Sequence, residues 1–215
     1  MKIHELELFI SNYEETVSFY KNTMQFQPLR EGADSTSFQT GESVFTLHKD
    51  ETHAYYYHFA FNIPPNLFQS AKDWVAAKIP LSLEVGQDEV SFTASKAKSF
   101  YFEDPAGNIV EYIARSETTT EAAQQHFKAG HIVNISEIGL TAQDVNTCVE
   151  EILNLSIPVK HNEVISNESL NFMGEYEDGA FILVGPVGRR WIFSDKLAIE
   201  APVIITTNRG TIKNY

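Results

Sequence analysis

Residues 3–20 read IHELELFISNYEETVSFY, and they contain one complete transition from a strand to a helix. Apolar and polar side chains alternate over the first eight residues, which predicts a strand with one apolar face. That face carries Leu6, Leu8 and Ile10. Ser11 and Asn12 are residue types that commonly cap helices, and apolar residues at helical spacing follow them. The stretch therefore predicts a strand that leads directly into a helix.

The same order of elements returns twice later in the chain. A strand-like run at residues 56–63 precedes a helical apolar stripe, and so does a run at residues 135–140. Short β-type stretches follow the three helices at residues 26–30, 35–40 and 43–48, at 80–85, 89–94, 99–103 and 109–115, and at 171–177, 180–184 and 191–194. The recurrence favours an α+β fold built from repeated βαβββ modules.

The composition is that of a folded protein with an acidic balance. Lys and Arg total 16 against 29 for Asp and Glu, which gives a formal charge of −13 over 215 residues. This charge disfavours nucleic acids and anionic membranes as partners, because both are polyanions. The single cysteine, Cys148, lies at an apolar helix position and predicts a buried thiol. The sequence has no basic and apolar leader and no bilayer-length run, which predicts a cytoplasmic location.

Three stretches of the chain together resemble the vicinal-oxygen-chelate superfamily. This group contains glyoxalases, bleomycin- and fosfomycin-resistance proteins and extradiol dioxygenases. The stretches are ELELFISNYEETVSFY at residues 5–20, HFAF at residues 58–61 and FYFEDPAGNIVEY at residues 100–112. The third stretch is the most specific, since it combines two strands with the turn that joins them. The resemblance covers residues 3–115 well and residues 135–194 weakly.

The resemblance implies a fold in which two βαβββ modules pair into a cup-shaped mixed sheet with helices outside. We predict that modules 1–52 and 53–117 form this cup and that residues 118–130 form a connector helix. Residues 131–215 are then a third βαβββ-like module. A lone module leaves one face of its sheet uncovered, so we predict a homodimer in which the third modules of two chains pair.

The resemblance also implies a divalent-metal site inside the cup. Its ligands would be Glu5, His58 and Glu111, where Glu5 replaces the histidine usual in the family. His48 is an additional candidate, and Glu137 occupies the corresponding position of the third module with no histidine nearby. Two carboxylates and one imidazole suit Mn, Fe, Mg, Ni or Zn, so the identity of the ion is unknown. In a degenerate site the same residues would hold no metal.

The function implied by the resemblance is that of a metal-dependent enzyme acting on a small oxygen-rich or aromatic substrate. A glyoxalase-like lyase or transferase and a ring-cleavage dioxygenase are both compatible with the fold, although the missing first-module histidine disfavours iron oxygenation. One alternative is a metal-free protein of the same fold that binds and sequesters an antibiotic-type small molecule. Another is an assembly module whose third repeat makes a dimer.

One further motif, GRRW at residues 188–191, places two arginines in a turn. Arginine makes planar, bidentate contacts with anions, so the motif is compatible with an anion-binding turn. Two exposed arginines beside a packed tryptophan are more common, and we interpret the motif as such a surface turn.

Overall fold

The structure is a computed structural model that describes residues 1–214. Its strands are β1 Ile3–Ile10, β2 Gln27–Glu31, β3 Ser35–Thr40, β4 Ser43–Lys49, β5 His58–Ile63, β6 Val90–Phe92, β7 Ala97–Glu103, β8 Ile109–Arg115, β9 Asn134–Ala142, β10 Asn171–Met173, β11 Phe181–Pro186, β12 Val203–Thr207 and β13 Gly210–Asn214. Its α-helices are α1 Tyr13–Ser18, α2 Phe68–Ala76 and α3 Val145–Asn154. A π-helical turn, Phe19–Thr23, extends α1.

The strands form two mixed sheets. One has the order β13-β12-β1-β4-β3-β2 and the other the order β10-β11-β9-β5-β8-β7-β6. The first two modules therefore share one internal arrangement, in which the first strand lies beside the fourth and the second is outermost. The third module contributes β9, β11 and β10 in the same relation. The predicted α+β fold of repeated βαβββ modules is confirmed.

The pairing of the modules differs from our prediction. Strand β5 of the second module pairs antiparallel with β9 of the third, whereas β1 pairs antiparallel with β12. All six residues of β5 are buried, so this strand needs neighbours on both edges, and β9 occupies the edge that we had given to the first module. The third module thus finds its partner within its own chain. The homodimer stays a prediction, but the third module already has a partner module along the β9 edge.

The first module packs on this second sheet face to face. The Phe45 ring of β4 lies 5.1 Å from the ring centre of Phe59 and 5.8 Å from that of Phe61, both in β5. These two phenylalanines point to the core, as the alternation of the sequence predicts, while His58 and Ala60 point to the opposite face. Strand β5 therefore separates an aromatic core from the face that carries His58 and Ala60.

The predicted connector helix at residues 118–130 is wrong. In the described chain this segment forms only a 3-10 turn, Ala129–His131. The Asn66 side chain binds both backbone groups of Ala122, at 2.8 and 2.9 Å, and Ser70 Oγ accepts from the N–H of Phe127 at 2.9 Å. These side chains satisfy backbone groups that a helix would otherwise pair internally, so the segment runs irregularly across α2.

Smaller differences concern two predicted strands and the last strands of the described chain. Residues 191–194 form no strand, and residues 80–85 contribute only an isolated bridge. The chain after residue 202 adds two strands to the first sheet, and β13 lies outside β12 as the sheet edge. Among residues 1–214, no helix has the length and apolar character needed to cross a membrane.

Candidate metal centre

Three adjacent strands of the second sheet place one histidine and two glutamates on the same face. Ala60 of β5 is the register partner of Glu111 in β8 on one side and of Glu137 in β9 on the other. His58 lies two residues before Ala60 in the same strand, so its side chain points to the same face. The candidate ligand atoms of His58, Glu111 and Glu137 all lie within 4.8 Å of one another.

Two of the three predicted ligands are thus brought together, and Glu5 is not among them. Glu5 lies in β1 of the other sheet, where its carboxylate accepts a hydrogen bond from Thr46 Oγ1 at 2.8 Å and lies 3.7 Å from Arg30. His48 approaches Glu7 at 2.6 Å rather than Glu5. The reason is the strand pairing, since β1 has β12 instead of β5 as its neighbour. Glu137, the corresponding residue of the third module, takes the expected place of Glu5.

The orientation of the His58 ring is fixed by a hydrogen bond from its Nδ1 atom. Nδ1 lies 3.1 Å from the carbonyl oxygen of Ile109, and because a carbonyl can only accept, Nδ1 carries the proton. Nε2 consequently faces the carboxylates, 3.5 Å from Glu111 Oε2 and 3.9 Å from Glu137 Oε2. Adjacent donors around an ion with bonds of about 2.1 Å lie about 3 Å apart, so small side-chain rotations would close these atoms on one. The donor set fits a divalent metal.

The electrostatics of the site favour a cation. Glu111 is 2% exposed and Glu137 is 5% exposed. Burial, and then the charge of Glu137, raise the pKa of Glu111 to about 7. Burial also opposes ionisation of Glu137, but the nearby His58 imidazole and the paired Arg115 guanidinium lower its pKa overall. Arg115 also donates to Ser136 Oγ at 3.2 Å. Within the described chain, Arg115 is thus the one cation beside these two buried carboxyl groups, so Glu111 carries a negative charge that an ion could neutralise whenever it is deprotonated.

A cavity of about 400 Å³ opens beside the three residues. Its apolar wall is formed by Phe92, Tyr101, Ile113, Leu183, Trp191 and Ile192. The Trp191 ring centre lies 4.8 Å from that of His58, and Phe193 stacks on Tyr101 at 4.5 Å. Flat aromatic walls beside a few polar groups are typical of sites for small cyclic molecules.

Gly139 makes room for the indole ring that closes this cavity. A Cβ atom at Gly139 would lie 2.7 Å from Cη2 and 3.0 Å from Cζ2 of Trp191. We expect Gly139→Ala to displace the ring and shift the tryptophan fluorescence, measured in a Trp74→Phe background. Gly130→Ala is the matched control, because a Cβ there meets nothing within 4 Å. An unchanged spectrum for Gly139→Ala would contradict the packing described here.

Comparison with known proteins identifies two matching family models. The model described as Glyoxalase/Bleomycin resistance protein/Dioxygenase superfamily matches residues 2–112, and the model described as Toxoflavin-degrading enzyme matches residues 135–189. The metallothiol transferase FosB of Shouchella clausii is 27% identical over 145 residues, which cover 63% of this chain and 94% of FosB. A candidate dioxygenase of Bacillus subtilis matches the fold with a TM-score of 0.60 at 12% identity, covering 100% of this chain and 67% of that one. The first of these family matches includes His58 and Glu111, and the second includes Glu137.

Proposed function

This chain belongs to the glyoxalase/bleomycin resistance protein/dioxygenase superfamily, and from that premise we propose that it is a divalent-metal-dependent enzyme for a small oxygen-rich or aromatic substrate. The metal ligands in this proposal are His58, Glu111 and Glu137. The observation that carries it is the gathering of these three buried side chains on one wall of an apolar cavity. The resemblance to FosB, a metallothiol transferase by name, supports metal dependence.

Each residue of the site has a separate task in this proposal. The Ile109 carbonyl holds the His58 ring with Nε2 toward the two carboxylates, where an ion would bind, and Arg115 holds the Glu137 carboxylate in place. The bound ion would supply Lewis acidity toward neighbouring substrate oxygens. Trp191 and Tyr101 would orient an aromatic ring and keep water from its faces.

The alternative, metal-free binding of a small molecule, is favoured by one specific observation. Arg115 already neutralises Glu137, and the pKa of Glu111 near 7 allows that carboxyl to stay protonated at neutral pH. The cluster is therefore compatible with the fold without an ion. Such a protein would use the same cavity to sequester its ligand.

Titration of metal-stripped protein with Mn²⁺ distinguishes the two proposals. Calorimetry is expected to give one ion per chain, and the loaded protein is expected to bind catechol, the simplest aromatic molecule with adjacent oxygens, more tightly than the stripped protein. Catechol binding that is tight and indifferent to Mn²⁺, with no ion bound, would support sequestration and contradict the enzyme.

The pH dependence of metal binding follows from the pKa of Glu111. Because a proton and the ion compete for this carboxylate, the affinity for Mn²⁺ is expected to fall by about tenfold per pH unit below pH 7 and to level off above it. Dissociation constants measured across this range test the prediction. Glu5→Gln is expected to leave the profile unchanged, and a flat profile in the native protein would contradict the role of Glu111.

A further inference from the structure

One guanidinium group in the wall of the cavity has no acceptor. Arg189 lines the cavity together with His58 and the two glutamates. Its Nη1 is shielded from solvent and has no hydrogen-bond partner, and none of its other N–H donors meets an acceptor within residues 1–214. The side chain as a whole is partly exposed, but a buried N–H donor without an acceptor is unfavourable, because that donor has lost its hydration without compensation. The arrangement therefore calls for a partner that comes from outside the chain.

The neighbouring arginine shows that this is not a general feature of the turn. Arg190 is exposed and forms an ion pair with Glu84, whose carboxylate also lies 3.1 Å from Arg190 Nη1. Arg189 instead extends over the Trp191 ring, with its guanidinium carbon 5.1 Å from the ring centre. Our interpretation of the turn as two surface arginines is thus right for Arg190 and wrong for Arg189.

The position of Arg189 relative to the candidate metal centre is set by Trp191. The indole is close to both groups, because its ring centre lies 5.1 Å from the guanidinium carbon and 4.8 Å from the His58 ring centre. The two groups are therefore separated by no more than the sum of these distances, which one substituted aromatic ring can span. The two carboxylates that line the cavity are engaged with His58 and Arg115, so the charge of Arg189 is left for a ligand.

We propose that Arg189 binds the carboxylate of an aromatic acid whose opposite edge carries two adjacent oxygens directed at His58, Glu111 and Glu137. This inference rests on the proposed function and specifies its substrate class. A carboxylate is favoured because its two coplanar oxygens match the fork of a guanidinium. The flat walls supplied by Trp191 and Tyr101 favour an aromatic ring between the two polar ends.

The test compares three probes by calorimetry on Mn²⁺-loaded and metal-stripped protein: 3,4-dihydroxybenzoate, catechol and benzoate. The native protein is expected to bind 3,4-dihydroxybenzoate about 10- to 100-fold more tightly than catechol, as a charge-assisted contact implies. Arg189→Gln is expected to remove this preference, so that the dihydroxy acid and catechol bind about equally. Arg190→Gln removes the same charge from the same turn and is expected to keep the preference. Arg189→Lys, which keeps the charge but loses the fork, is expected to be intermediate.

The outcomes separate this inference from the proposed function. Metal-independent binding of benzoate that is lost in Arg189→Gln would support the anion site even where the metal centre fails. Equal binding of the dihydroxy acid and catechol by the native protein would overturn it, as would a preference that survives Arg189→Gln. Absence of binding of both acids to folded native protein, checked by circular dichroism, would overturn it as well.

Discussion

We expect the Glu111→Gln variant to bind a divalent ion far more weakly than the native protein does. The substitution keeps the shape of the side chain and removes the charge that faces His58 at 3.5 Å. Loss of an outer-shell partner already lowers metal affinity by about 10- to 100-fold, so removal of a direct ligand is expected to exceed that range. Calorimetric titration of metal-stripped protein with Mn²⁺ measures the change, and His58→Ala is expected to behave in the same way.

Glu5→Gln is the matched control for this experiment. It also replaces a strand glutamate by glutamine, but its side chain lies in the other sheet and is hydrogen-bonded to Thr46. Its affinity for Mn²⁺ is therefore expected to equal that of the native protein. The reverse pattern, in which Glu5→Gln loses the ion and Glu111→Gln retains it, would contradict the assignment of the centre to the second sheet.

Among the single substitutions proposed for this protein, Arg115→Met is expected to lower the free energy of unfolding most. Arg115 is 5% exposed, pairs with the buried Glu137 carboxylate and lies over the Phe181 ring at 5.2 Å. Without it Glu137 keeps a buried charge with no cation beside it, so the free energy of unfolding is expected to fall by about 3–5 kcal/mol. Urea denaturation in the presence of a chelator measures this change.

The double variant Arg115→Met with Glu137→Met separates the ion pair from simple packing. Replacing both partners of a buried pair by apolar residues of similar size is often neutral, so most of the lost stability is expected to return. Added Mn²⁺ is expected to stabilise the single variant and to have no effect on the double one. A single variant within about 1 kcal/mol of the native protein would contradict the idea that Arg115 compensates Glu137.

The sequence predicts the bounds of individual strands more closely than it predicts which strands lie next to each other in the sheets. The bounds of β1 agree with the predicted run, because its side chains alternate between a buried and a more exposed face. The bounds of β8 agree as well, because the turn residues Asp104 and Gly107 mark where this strand can begin. Whether β1 or β9, the first strands of the other two modules, lies beside β5 depends on contacts between residues far apart in the sequence. Glu5 and Glu137 occupy equivalent positions in β1 and β9, so residue type alone could not distinguish them. The continuous apolar run around Phe59 signals a central strand but not the identity of its neighbours.

The candidate site was accordingly predictable in two of its three residues. His58 and Glu111 belong to one module, and their relation depends only on the order of strands within it. Glu137 was visible as the equivalent residue of the third module, but its inclusion depends on how two modules associate. Arg189 could not be located from the sequence, because nothing in GRRW indicates which of its two arginines turns inward.

The two faces of β5 have a consequence for how this protein can change over time. Phe59 and Phe61 anchor the architecture, whereas His58 and Ala60 border the place where small molecules would react. Because neighbouring positions project in opposite directions, substitutions that alter reactivity need not disturb the anchors. Evolution can therefore substitute the residues of this strand that face the cavity while it keeps those that face the core. Because the module is repeated along the chain, several strands offer this possibility.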